Sequence, residues 1–382
     1  MSQTFVKMNH TALVSVEGVG PRTFRLIVNY LKKNRILWQD FWVNKAQIWS
    51  KIRLSQKVVE SIKKFKKEYT IESYWQYLQR KDISVVGFME SDFPMLLKQT
   101  ADCPPILFIK GDIKLCSKLP IAIIGTRRMT AYGKLVTNKL AQELTMSGAT
   151  IVSGFMYGVD VQAQQAALEA GGATVGVLGF GFDHIFPSSQ RVLMQKMLAT
   201  KRAVFVSEYP PFVRATKGTF PRRNRIIAGL SLAVIVTEAG PKSGTQITVG
   251  YALDYGRDVF AVSGPVTSPY HEGVKAMLNQ GATLVGSGQE VINNLSANNW
   301  VKVGGETQAG GQGEANHLDL SAIVVTPLQQ KILQALRACP LTTQDLGEQL
   351  GEDTTAVSQA LTELELRGLV KFEANQWVSP PG

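Results

Sequence analysis

Between residues 119 and 295 seven short apolar runs alternate with amphipathic stretches, and no other feature constrains the fold as much. The spacing predicts strands at Pro120–Ile124, Thr150–Ser153, Thr174–Leu178, Ala203–Ser207, Ala233–Thr237, Val259–Val262 and Thr283–Val285. Helices are expected between most of them, at Lys134–Met146, Val159–Ala170, Thr245–Tyr255 and Glu272–Gln280. Strand and helix repeated this often imply an α/β fold with a mostly parallel sheet covered on both faces. Right-handed crossovers then gather the loops after the strands on one edge. Those loops are GTRRMTAYG, SGFMYGVD, GFGFDHIFP, SEYPP, EAGPKSGTQIT and SGPVTSP. Several are rich in Gly, Ser, Thr, Arg and Lys, and their convergence on one edge marks the expected site.

The stretch FPRRNRIIAGLS (220–231) carries the strongest local charge there. It reads as a loop entering a helix, with Pro221 at the first helical position and Arg222, Arg223 and Asn224 in the first turn. Cations at that end oppose the helix dipole, so their placement implies an anion to hold. A solvated basic turn is the plainer alternative.

Charge is unevenly distributed along the 382 residues. Residues 1–85 carry 16 Lys and Arg against 6 Asp and Glu, whereas the rest is close to neutral. A basic module on a near-neutral body points to a polyanionic partner such as nucleic acid. That module, residues 1–84, reads as helical, and Gly18-Val19-Gly20 before Pro21 resembles the turn of a helix-hairpin-helix or SAM-like unit. Lys63, Lys64, Lys66 and Lys67 read as a solvated helix face. Short extended pieces at Ser84–Gly87 and Ile106–Lys110 lead into the central domain, 85–295. Residues 296–325 are Gly-rich and polar, as a linker would be. Residues 326–382 supply three helical stretches and a strand pair turning at Ala374-Asn375, the pattern of a winged helix. This last segment holds 4 basic and 7 acidic residues, so a protein-contact or regulatory role is expected of it rather than DNA reading.

Three scattered cysteines, Cys103, Cys116 and Cys339, fit a reducing cytoplasm and argue against a disulfide framework or zinc site. The histidines have no metal-site spacing, and no apolar run approaches a membrane span. No metal, cofactor or membrane contact is therefore expected. GTRRMT after the first strand is a poor dinucleotide fingerprint, and GxxxxGK[ST], GxSxG and HExxH are all missing. What remains is anion binding without assigned catalytic residues. Gly125, Thr126, Arg127, Arg128, Ser153, Gly154, Arg222, Arg223, Asn224, Arg225, Lys242, Ser243, Gly244 and Thr245 are the expected contacts. Spread over several loops, they suit successive phosphates of a strand, and Phe155, Tyr157, Phe180 and Phe182 are candidates to stack bases or to pack beneath the loops.

The segments IAIIGTRRMTAYG, IVSGFMYGVD, GFGFDHIFP, SEYPP, GTFPRRNRIIAGLS and KSGTQIT, with the lead-in DFPMLLKQTADCPPILFIKGD, resemble the DNA processing protein A (DprA/Smf) family. The resemblance is dense over roughly 85–295 and implies an extended Rossmann-like domain that binds single-stranded DNA and dimerises. It also implies protection of incoming strands and loading of the recombinase RecA during natural transformation. By motif, Arg127 matches the family's phosphate-binding arginine, Lys242 its basic residue before SG, and Arg222, Arg223 and Arg225 its arginine motif. Met156 and Tyr157 stand where the family often has Ala and Arg, and Thr245 and Gln246 where Ser and Leu are common. The competing reading is a nucleotide phosphoribohydrolase of the lysine-decarboxylase-like group, with Glu208 and Glu238 as acid–base candidates. Gln246, Ile247 and Thr248 occupy the positions where that group places its carboxylate, and the two glutamates equally suit orienting loop backbone or arginines.

Overall fold

The computed structural model describes residues 3–241, 243–297, 328–329, 332, 335–336, 341–366, 370–373 and 376–378. They fall into two compact units, one ending at Ala297 and one within 328–378.

The first unit begins with helices α1 (Gln3–Val14), α2 (Pro21–Lys33), α3 (Trp38–Trp42), α4 (Ile48–Lys51), α5 (Gln56–Glu68) and α6 (Ile71–Arg80). The amphipathic α2 and α5 bury Phe24, Ile27, Val58, Ile62 and Phe65, and the lysines of α5 face solvent. The strands are β1 (Ser84–Gly87), β2 (Ile106–Lys110), β3 (Pro120–Ile124), β4 (Thr150–Ser153), β5 (Ala173–Leu178), β6 (Ala203–Ser207), β7 (Ala233–Val236), β8 (Asp258–Ala261) and β9 (Thr283–Leu284). They form one sheet in the order β1-β2-β6-β5-β4-β3-β7-β8-β9. From β6 to β9 neighbours are parallel, whereas β2 runs antiparallel to both β1 and β6. Expected and observed strand ends agree to within one residue. The lead-in pieces thus extend the main sheet, and the run Ile-Leu-Phe-Ile of β2 is apolar on successive positions because both its faces are covered.

Between the strands lie α7 (Met95–Lys98), α8 (Ala131–Met146), α9 (Val159–Glu169), α10 (Arg191–Ala199), α11 (Thr219–Leu230), α12 (Thr245–Asp254) and α13 (His271–Asn279), and α14 (Gly288–Ala297) closes the unit. The first unit has a core on each side of the sheet. One joins Val152, Val204 and Val234 to α11, while the other runs without a break from Phe24 and Tyr74 of the helical segment to Phe108 and Phe205. The N-terminal helices are therefore packed as part of this unit.

In the second unit α15 (Thr343–Leu350) and α16 (Thr354–Leu366) pack Leu346, Val357 and Leu361 around Ile332. The antiparallel pair β10 (Lys371–Glu373) and β11 (Gln376–Val378) follows. The turn expected at Ala374-Asn375 and the linker expected over 296–325 lie outside the described residues, apart from Ser296 and Ala297 at the end of α14. Among the described residues no helix is long and apolar enough to cross a membrane.

Candidate functional site

β3 lies between β4 and β7, so the chain winds outward through β4, β5 and β6 and then returns along α11 to place β7 on the other side. Such a reversal leaves a crevice beyond the carboxyl ends of the two strands that flank it. A cavity of about 790 Å³ opens there. The loop after β3, the start of α9, the first turns of α11 and the start of α12 line it.

The arginine loop after β3 is built by close backbone approach. A Cβ on Gly125 would lie 2.7 Å from Val159 Cγ2 and 2.8 Å from the Glu238 carbonyl oxygen, so only glycine fits. Thr126 N donates to that carbonyl at 2.8 Å, and Val159 N donates to Thr126 O at 3.2 Å. The Glu238 side chain takes Thr130 N at 2.9 Å and Thr130 Oγ1 at 2.5 Å, fixing the loop where α8 begins. Tyr270 Oη donates to the Arg128 carbonyl oxygen from the loop after β8. With the backbone held, the exposed Arg127 and Arg128 side chains project into the cavity rim, Arg127 lying 5.4 Å from the centre of the Phe220 ring.

α11 corrects the expected helix start. Thr219 Oγ1 accepts from Thr216 N at 3.1 Å and donates to Thr216 O at 3.0 Å, a turn that begins the helix at Thr219 with Pro221 third. A proline is tolerated there because its N–H would have no partner within the helix. The arginines consequently fall beyond the position expected for them, and at 3.6 residues per turn they point in three directions. Arg223 is 3% exposed and lies in the cavity floor, donating to the carbonyls of Gly154 and Val177 at the ends of β4 and β5. Burial lowers its pKa to about 10, so it remains a cation at neutral pH. Arg225, 4% exposed, is turned away from the cavity. It donates to Glu208 and, at 2.7 Å, to Asp102 O. Arg222 lies at the rim of another cleft, with Nε 3.6 Å from Glu208 Oε1. Of three expected contacts, one lines the cavity.

Asp160, at the start of α9, is the carboxylate facing this floor. A Cβ on Gly154 would lie 2.5 Å from its Oδ2 and 2.7 Å from Arg223 Nη2, so the three groups are packed together. Burial pushes the Asp160 carboxyl up to about 6, against the pull of Arg223. At α12, Ser243 Oγ accepts from Thr245 N at 3.1 Å and donates to Thr245 Oγ1 at 2.8 Å, while Asn224 Nδ2 reaches Gly244 O at 3.3 Å. Neither α11 nor α12 has an acidic residue in its first turn. Two helix starts therefore present positive dipole ends to one cavity.

The structure brings together Gly125, Thr126, Arg127, Arg128, Arg223, Asn224, Ser243, Gly244 and Thr245. Ser153 is buried with Oγ donating to Ile123 O at 2.7 Å, and Gly154 lies under the floor as the acceptor of Arg223. Lys242 lies outside the described residues. Phe155, Phe180 and Phe182 are core, whereas Tyr157 is 50% exposed. Sequence reasoning missed Phe186, which is 45% exposed and lines the cavity beside Phe220 with ring centres 5.8 Å apart. It also missed Lys217 and Asp160. The lone Lys217 after a threonine was legible, while the exposure of Phe186 is set by packing that no local pattern encodes.

The family model described as DNA recombination-mediator protein A matches residues 84–296, and the DprA winged helix domain model matches 319–374. The chain belongs to the DNA recombination-mediator protein A family. Among curated members of the family, DNA processing protein DprA of Bacillus subtilis (strain 168) is 40% identical over 237 residues, covering 60% of this chain and 79% of that protein. The X-ray structure of DNA processing protein A from Streptococcus pneumoniae superposes with a TM-score of 0.62 at 29% identity, over 75% of this chain and 97% of that one. A second solved member, DNA processing protein A from Helicobacter pylori, is described by its single-stranded DNA binding mode. It superposes with a TM-score of 0.50 at 33% identity, over 56% of this chain and 96% of that one. The extended Rossmann-like sheet and the C-terminal winged helix are thus those of the family.

Proposed function

We propose that this chain is a recombination mediator that binds single-stranded DNA in the switch-point cavity and acts without catalysing a reaction. The observation that carries the reading is the meeting of Arg127, Arg128 and Arg223 with the starts of α11 and α12 in one cavity. Guanidinium groups, hydroxyls and the positive ends of helix dipoles hold phosphates whatever the base sequence, and the half-exposed Phe186 offers a face for stacking. The binding mode described for the Helicobacter pylori relative supports the choice of a single strand. Thr126, Arg127, Arg128, Lys217, Asn224, Ser243 and Thr245 are the proposed direct contacts, and Lys242 is added by motif. Within this reading the chain works in the cytoplasm as a homodimer, protects incoming strands in natural transformation and delivers them to RecA. Family membership supports those steps.

The phosphoribohydrolase alternative needs a free carboxylate for acid–base work. Glu238 is engaged by Thr130, Glu208 by Arg222 and Arg225, and Asp160 is packed beneath the floor against Arg223, which favours the binding reading. Fluorescence anisotropy with labelled oligo-dT and a matched duplex across a salt series tests the choice, with nucleoside monophosphates assayed for hydrolysis in parallel. Tight, salt-dependent preference for the single strand without base release is the expected result. Weak strand binding with release of base would overturn it.

A further inference from the structure

A second cleft, of about 840 Å³, lies between the N-terminal helices and the Pro-rich loop after β6. Residues 14–23 form one wall and residues 208–216 the opposite one. Thr216 lines both this cleft and the switch-point cavity, and Arg222 of the cleft stands between Pro221 and Arg223 of the cavity. The two spaces therefore meet along the segment that leads into α11.

The chemistry of the cleft repeats that of the cavity with different residues. α2 starts at Pro21 with no side-chain cap and no acidic residue in its first turn. The N–H groups of Arg22 and Thr23 precede any intrahelical acceptor, so they are free to meet an anion. Arg222 stands at that helix start, its Nη2 lying 3.5 Å from the position a Cβ on Gly20 would take. A guanidinium facing the positive end of a helix dipole calls for negative charge, of which Glu208, with Oε1 3.6 Å from Arg222 Nε, supplies part. Lys64 and Arg214 add two exposed cations to the lining. Of the acids there, Glu17 is paired with Lys57 at 3.3 Å. Glu68 lies at the exposed carboxyl end of α5. Glu208 points the same way: it is 8% exposed and lines the cleft, Oε2 is bound by Arg225, and Oε1, 3.6 Å from Arg222 Nε, accepts no hydrogen bond among the described residues. A buried carboxylate oxygen without a donor calls for one, and an N–H or amino group on the edge of a base supplies it. Val16, Phe65, Pro105 and Phe212 give the apolar walls between which such a base would lie.

We propose that this cleft is a second subsite for the same single strand, holding phosphates at the α2 start, Arg222, Lys64 and Arg214 and a base edge against Glu208. The inference rests on the reading of the switch-point cavity given above. It makes the N-terminal helices part of the binding surface and extends the path of the strand past Thr216.

The test is strand length. Labelled dT oligomers of about 4 and about 12 nucleotides, spanning one subsite and both, are titrated against the full chain. The longer strand should bind the wild type at least about tenfold more tightly than the shorter one. Lys64→Ala with Arg214→Ala should remove most of that gain and leave the affinity for the short strand unchanged, because neither residue lines the first cavity. A gain with length that survives the double substitution would overturn the proposal. Photocrosslinking of a thiothymidine-substituted long strand to peptides from 14–23 or 208–214 is the second expected result, and crosslinks confined to other peptides would also overturn it. A short strand that fails to bind and ignores Arg127→Ala would instead refute the first cavity, and the second subsite with it. The two failures are thus distinguishable.

Discussion

Arg127 and Asp160 show how single side chains set the behaviour of the cavity. Arg127 is exposed, is held only through its backbone and stacks on Phe220, so its replacement should cost binding without unfolding the protein. Arg127→Ala is expected to lower the slope of log K against log salt by roughly 0.7, the value of one phosphate contact on a single strand. A salt titration that returns the wild-type slope would remove Arg127 from the contacts. Asp160 acts in the opposite sense. Its carboxyl titrates near 6, above the ordinary aspartate value, so the folded state retains a proton that the unfolded chain has released by about pH 4. Stability from this group is complete below about pH 4 and is lost as pH rises towards 6. In the same window the new negative charge appears beside Arg223 and repels phosphate. Affinity for oligo-dT should therefore fall as pH rises through about 6, and Asp160→Asn should flatten that fall. Anisotropy at constant ionic strength from about pH 5 to about pH 8 reads both.

At the scale of elements, the sheet was legible and the direction of the arginines was not. The apolar runs of β3, β4, β5, β6 and β7 end within one residue of the observed strands and are buried on both faces, so their composition carries the signal by itself. The strand carboxyl ends followed from crossover handedness, and with them the edge where Gly125–Arg128 and Ser243–Thr245 meet. α11 is different, because the phase of a helix depends on where it starts. The Thr216–Thr219 turn moves that start to Thr219, and the arginines separate accordingly. One consequence sets Arg225 apart from Arg127. Arg225→Ala leaves Glu208 buried beside a lost partner, and removal of one member of a buried ion pair costs about 3–5 kcal/mol. Chemical denaturation should show that loss as a lower midpoint, while the salt slope of strand binding stays at the wild-type value. A changed slope with unchanged stability would place Arg225 on the strand instead.

At the scale of the molecule, the two ends of the chain differ in how far the first unit depends on them. Tyr77 donates to Asp183, Lys81 lies 3.3 Å from Asp183, and Lys7 pairs with Glu90 at 2.7 Å. Tyr69 stacks on Phe212 with ring centres 6.5 Å apart. Behind these ties a single apolar core joins Phe24 and Tyr74 to Phe108 and Phe205, so the charge of residues 1–84 is mounted on helices that share a core with the sheet. Removing residues 1–83 would expose several fully buried aromatic and aliphatic side chains, each worth about 1.5–3 kcal/mol of burial. The remainder should be aggregated or unfolded. The far end carries its own core around Leu346, Val357 and Leu361, and its sequence is net acidic. Residues 1–297 are accordingly expected to fold alone and to bind oligo-dT within about twofold of the full chain, since an acidic segment adds no counterion release. Circular dichroism and anisotropy on both truncations decide this. A tenfold loss of affinity on removing residues 298–382, with the fold intact, would mean that the winged helix itself carries part of the strand.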